Sequence, residues 1–131
     1  MTTDNTFAVV GSAHSTAHFQ LRNSFIFDSA ATAHVCNNIE RFEDFVPASE
    51  DTTVFVGNSR ISLHGFGTVR VHAVKPNEDK IHVFVLKDVV YIPTFHTNLI
   101  SFRKAKKAGI LWDTEKDILF DARGPICQLF E

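Results

Sequence analysis

A chain of 131 residues has room for one domain built on one modest hydrophobic core. Its formal charge of −2 gives no broad attraction to nucleic acid or anionic membranes, and its apolar runs fall far short of a membrane span. Thirteen Phe against one Trp and one Tyr point to a core filled by phenylalanine.

Residues 1–22 are rich in Ala, Ser, Thr and His, and only Phe7-Ala8-Val9-Val10 is fit to add an edge strand. The segment reads as a partly disordered leader, without the basic start and apolar run of a signal peptide; the domain proper takes residues 23–131. Phe25-Ile26-Phe27 then reads as a buried strand that runs straight into Asp28, Ser29, Ala30, Ala31 and Thr32. A lone carboxylate there is expensive to bury unless it is paired or protonated, so Asp28 either caps a turn or is used. Further on, Asn37 or Asn38 is placed to N-cap a short helix over 39–45 that stops before Pro47.

From Thr52 the pattern turns to β. Thr53-Val54-Phe55-Val56 is strand-like and Gly57-Asn58-Ser59 is a turn. Residues 60–72 alternate, with Ile61, Leu63, Val69 and Val71 on one face, and read as one long strand bent at a bulge near Gly65 and Gly67. A turn at Pro76 to Asp79 precedes a strand over 81–86, and a second strand over 89–92 is stopped by Pro93. Asn98 is read as the N-cap of a helix running to Ala108, with Leu99, Phe102 and Ala105 on one face and Gly109 just past its end. Three short strands follow, at 110–112, 118–120 and 126–130. The signals give about seven to nine strands and one or two helices, an all-β domain.

Cys36 and Cys127 can form at most one disulfide, and two buried thiols are expected instead. His34 and Cys36 make a His-x-Cys pair, but zinc needs three or four ligands and no second ligand pair stands out; neither metal nor cofactor is expected. Arg103, Lys104, Lys106 and Lys107 read as the solvated face of the C-terminal helix. No aromatic platform accompanies them, so nucleic acid is not an expected direct partner.

Five ordered blocks carry a resemblance. They are Phe27-Asp28-Ser29-Ala30-Ala31-Thr32-Ala33-His34, Val56-Gly57-Asn58, Gly65-Phe66-Gly67-Thr68-Val69, Asp88-Val89-Val90-Tyr91-Ile92-Pro93 and Asn98-Leu99-Ile100-Ser101. Together they resemble the copia-type retrotransposon aspartic proteases, over residues 24 to about 120. The resemblance implies a retropepsin-like closed β-barrel with one short C-terminal helix. It implies an aspartic endopeptidase that processes its own Gag-Pol polyprotein, in the cytoplasm within virus-like particles. The implied catalytic triplet is Asp28, Ser29 and Ala30. The family has Gly at the third position, and the Ala30 methyl group adds bulk where the loop would approach its symmetry mate.

Peptide hydrolysis by this chemistry needs two carboxyls, one ionised to activate water and one protonated to polarise the carbonyl. No second apolar-Asp-Ser/Thr-small block occurs in the chain. The resemblance therefore implies a two-fold homodimer with one Asp28 from each copy. Ser29 would hydrogen-bond across the axis. Val56, Gly57, Asn58 and Ser59 would form the substrate-binding tip of a flap, with His64-Gly65-Phe66-Gly67 as the alternative tip. The rival expectation, favoured by Ala30, is a captured and catalytically inactive dimerisation or peptide-binding module.

Overall fold

The computed structural model describes residues 22–56, 58–76 and 80–129. Phe25–Asp28 forms β1 and Val35–Cys36 forms β2; a single 3₁₀ turn, Ile39–Arg41, leads into β3, Phe42–Pro47. The hairpin of β4, Thr53–Val56, and β5, Ser59–Ser62, precedes two long strands, β6, Gly65–Val74, and β7, Ile81–Tyr91. β8, Asn98–Ser101, passes directly into the helix α1, Phe102–Lys107. β9, Leu111–Asp113, β10, Ile118–Asp121, and β11, Gly124–Gln128, follow. The class is all-β. Residues 1–21, with the apolar run 7–10, and the turn residues 77–79 lie outside the described residues.

The main sheet has six strands in the order β1-β8-β2-β7-β6-β3. β8 is threaded between β1 and β2, parallel to the first and antiparallel to the second. Among the described residues β1 and β3 are its edges, and the pairing does not close into a barrel. Side chains on successive strand residues point to opposite faces, and here both faces are apolar. Phe27, Cys36, Val89 and Ile100 join a cluster with Leu119, Ile126 and Cys127 of the small β9–β11 sheet and with Ala105 of α1. Val35, Val90 and Leu99 join the opposite cluster with Ala31, Leu63, Ile92 and Phe95. That two-sided burial explains why all four residues of β8 are buried. Both cysteines are free and buried.

Four expectations need correction. The helix over 39–45 is only a 3₁₀ turn, capped by Asn38, whose side chain accepts from the Glu40 amide; β3 follows at once. Residues 60–72 are two strands, β5 and β6, in different sheets, because the chain turns at Leu63 and His64. Strands 81–86 and 89–92 are one strand, β7. Gly67 faces Val89 while Val69 faces Leu86, so β7 carries an extra residue, and Asp88 stands there at φ 55°. Residues 98–101 are strand, and the helix begins at Phe102 with Ser101 as its N-cap, accepting from the Lys104 amide at 3.2 Å. The helix stop is as expected: Gly109 at φ 91° donates to Lys106 O and Ile110 donates to Ala105 O, a Schellman closure.

The glycines of β6 answer to β3. A Cβ on Gly65 would run into the Phe45 ring and lie 2.6 Å from Val46 O; one on Gly67 would lie 2.9 Å from Phe42 Cδ2. Phe42 and Phe45 pack edge-on with Tyr91 over these glycines, which fastens β3 to β6 and β7.

Candidate active site

Asp28 ends β1, opposite Ser101 at the end of β8. It is 3% exposed, while Ser29 and Ala30 are exposed. The Ala30 amide donates to Asp28 Oδ1 at 2.8 Å. Burial pushes the carboxyl pKa from 3.8 up to about 9, against the pull of the Ala30 and Ala31 amides. In the single chain the carboxyl is therefore protonated at neutral pH and able to donate a proton. Ala30 is not among the residues with positive φ, so its backbone has a conformation open to any L-residue.

The loop after Asp28 is pinned by Ser101, which the sequence left unremarked as a site residue. Its Oγ donates to Ala31 O at 2.7 Å, and its amide donates to His34 Nδ1 at 2.9 Å. His34 must then carry its ring proton on Nε2. Burial, helped by the positive Lys104, lowers its pKa from 6.5 to about 3, so the ring stays neutral. One serine thus holds both ends of the segment 31–34 and caps α1. The Asn98 amide, expected to cap the helix, does something else. Its Oδ1 accepts from Asn37 N at 2.8 Å and its Nδ2 donates to Ser24 O at 2.9 Å and Arg22 O at 3.1 Å. Asn37 Nδ2 reaches Phe95 O and Arg22 O, both at 3.0 Å. Two buried amides therefore tie the start of β1, the end of β2 and the loop before β8 into one frame. The signal for them was a polar amide beside apolar strand residues at each position.

The β4–β5 hairpin pairs Val54 with Ile61 and Val56 with Ser59. Val54 and Ile61 pack against the cluster that contains Ala31, three residues beyond Asp28. Asn58 and Ser59 are exposed at its tip, and Gly57 lies outside the described residues. On the outer face Phe55 is 57% exposed, with the Arg60 guanidinium 4.9 Å from its ring centre. The alternative tip is excluded: Gly65 is buried, and 65–67 are sheet residues paired with β3 and β7. Among the described residues no three His, Cys, Asp or Glu side chains come together as metal ligands.

Residues 25–110 match the family described as Pol polyprotein, beta-barrel domain. The chain is also 32% identical over 79 residues to a putative transposon Ty5-1 protein of Saccharomyces cerevisiae, a match covering 60% of this chain and 47% of the relative. It thus spans about half the length of that curated relative. No solved structure matches.

Proposed function

Because this chain belongs to the Pol polyprotein β-barrel domain family, a retrotransposon polyprotein family, we propose that it is the aspartic endopeptidase of such a polyprotein, active as a two-fold homodimer. The observation that carries the reading is the Asp28 carboxyl buried at the end of β1 beside exposed Ser29 and Ala30, with burial raising its pKa. One protonated carboxyl supplies only the acid. A second copy brought against the exposed triplet supplies another carboxyl, and two close carboxyls share one proton because both cannot ionise. The ionised partner takes a proton from water as the water oxygen bonds to the scissile carbonyl carbon. The protonated partner gives its proton to the carbonyl oxygen. Collapse of the tetrahedral adduct, with a proton passed to the amide nitrogen, breaks the C–N bond.

The tip of the β4–β5 hairpin, with Asn58 and Ser59 exposed and Val54 and Ile61 packed toward the Ala31 cluster, would cover an extended substrate and exclude water. The substrate would be the polyprotein itself. The test is cleavage of a polyprotein fragment at mildly acidic and neutral pH, with and without an aspartic-protease inhibitor, alongside Asp28→Asn. Inhibitor-sensitive cleavage lost in Asp28→Asn is the expected result, together with a dimer in sedimentation. Cleavage unchanged by Asp28→Asn refutes the assignment. A dimer that cleaves nothing points to the inactive module, for which the exposed Ala30 methyl in place of glycine is the favouring observation.

A further inference from the structure

One edge of β7 is left open by its own sheet. β2 pairs with β7 only at Val35↔Val90 and Cys36↔Tyr91, so among the described residues the strand pairing of 81–86 is with β6 alone. The phase of that ladder can be read. Lys75 N–H donates to Lys80 O at 3.1 Å, and the register continues through Ala73↔His82, Val71↔Phe84 and Val69↔Leu86. Hydrogen-bonded pairs alternate along an antiparallel ladder. His82, Phe84 and Leu86 therefore turn their N–H and C=O toward β6, and Ile81, Val83, Val85 and Lys87 turn theirs outward. Lys104 Nζ, arriving from α1, donates to Lys87 O at 3.0 Å and reports the same phase independently. Among the described residues no strand takes up the outward groups of Ile81, Val83 and Val85.

Val83 and Val85 border a groove of about 250 Å³ between β7 and α1, floored by Phe27, Ile100 and Leu119. This is smaller than the ~300–1,000 Å³ of sites that enclose a small molecule. A row of backbone donors and acceptors beside an apolar floor is what an added strand uses: main-chain bonds for affinity, alternate side chains for fit. The charges are one-sided. Lys87 and Lys104 line the groove with His34 and His82, and no carboxylate does. Asp88, which interacts with Lys104, stands outside it. Ile81, Val83 and Val85, 62%, 39% and 43% exposed, add an apolar stripe along the same strand.

We infer that the open edge of β7 docks an extended segment of another polypeptide, apolar at alternate positions and bearing a carboxylate that meets Lys87 and Lys104. The segment joins the main sheet as a strand beside β7. This docking needs no chemistry from Asp28, so the peptide binds Asp28→Asn as it binds the unaltered chain, whatever the fate of the protease reading.

The test titrates the full chain with the synthetic peptide acetyl-Glu-Val-Thr-Val-Thr-Val-amide, read by amide NMR shifts and hydrogen exchange. Saturation at millimolar peptide or below is expected, with exchange slowed at Val83 and Val85 and unchanged at Phe84 and Leu86. Val83→Pro removes an outward N–H without touching the β6 ladder and is expected to weaken binding about tenfold or more. The exposed change Lys87→Glu carries the test independently of how Val83→Pro folds. It is expected to weaken the Glu peptide and strengthen a counterpart starting with Lys. Absence of saturable binding overturns the inference, as does equal affinity for the Glu and Lys peptides. Protection at Val83 that grows with protein concentration alone also overturns it, because the edge then belongs to a second copy.

Discussion

Replacing Asp28 by Asn should change how stability depends on pH, in a way that isolates the buried carboxyl. Burial raises its pKa from 3.8 to about 9 in the folded chain. Between these values the folded chain holds a proton that the unfolded chain has released, so stability falls as pH rises. The stability is fully present below the unfolded value and is lost as pH climbs through the folded one. Each pH unit is worth about 1.4 kcal/mol, so raising pH from ~7 to ~8.5 should cost the unaltered chain about 2 kcal/mol from this group. Asp28→Asn keeps an oxygen for the Ala30 amide and has nothing to titrate. His34 acts in the opposite sense. Its folded pKa is lowered from 6.5 to about 3, so its stability is present above 6.5 and lost as pH falls. Below pH 6.5 the two slopes oppose each other in the unaltered chain, and only the His34 slope remains in Asp28→Asn. Urea unfolding of both proteins across pH 5 to 8.5, at concentrations where the chain is monomeric, reads the difference directly. Parallel curves would refute the argument that Asp28 is buried in its protonated form.

Ser101→Ala removes the bond to Ala31 O and the cap of α1; a loss of about 1–3 kcal/mol is expected in urea unfolding as the segment 31–34 loosens. Gly65→Ala drives a methyl into the Phe45 ring and Val46 O and should destabilise by about 1–3 kcal/mol in thermal unfolding; no change would mean that β3 is not fastened there. Leu99→Ala empties a fully buried site between β1 and β2 and is expected to cost about 2–5 kcal/mol, checked in the same assay. His34→Ala leaves the Ser101 amide without its acceptor and removes the opposing slope, so below pH 6.5 stability should fall more steeply as pH rises, seen in the pH series above.

The strand ending at Asp28, the 53–62 hairpin and the Gly109 stop were legible because each is local: an apolar run, a turn between β-branched runs, a glycine at positive φ. The stretch 39–45 was misread as a helix behind its Asn cap. Phe42 and Phe45 look like neighbours on a helix, yet both meet Tyr91 from a strand. The shift between Glu43 and Val46, with Asp44 at φ 53°, inserts the extra residue that returns Phe45 to the Phe42 side. Asp88 does the same on β7, carrying Leu86 and Val89 into one cluster. An aspartate tolerates positive φ better than most residues, but nothing in its neighbours announces it. β8 was misread for another reason. A four-residue strand buried on both faces has no alternation, and the helix following it lent it a helical look. The pairing within the site frame of Asn37, Asn98, His34 and Ser101 was out of reach, although the amides themselves stood out, because its bonds join residues far apart in sequence.

The threading of β8 between β1 and β2 also orders events in time. Ser101 and Ala31 are 70 residues apart in the chain, so ribosomal synthesis exposes Asp28 long before the strand that buries it exists. A chain stopped at residue 97 should carry an Asp28 that titrates near the ordinary 3.8, measurable by carboxyl NMR. Closing so distant a contact is also slow compared with forming the hairpins between. The proton-holding carboxyl is therefore a late product of folding. A growing chain acquires that buried carboxyl only when β8 slides into the middle of the sheet.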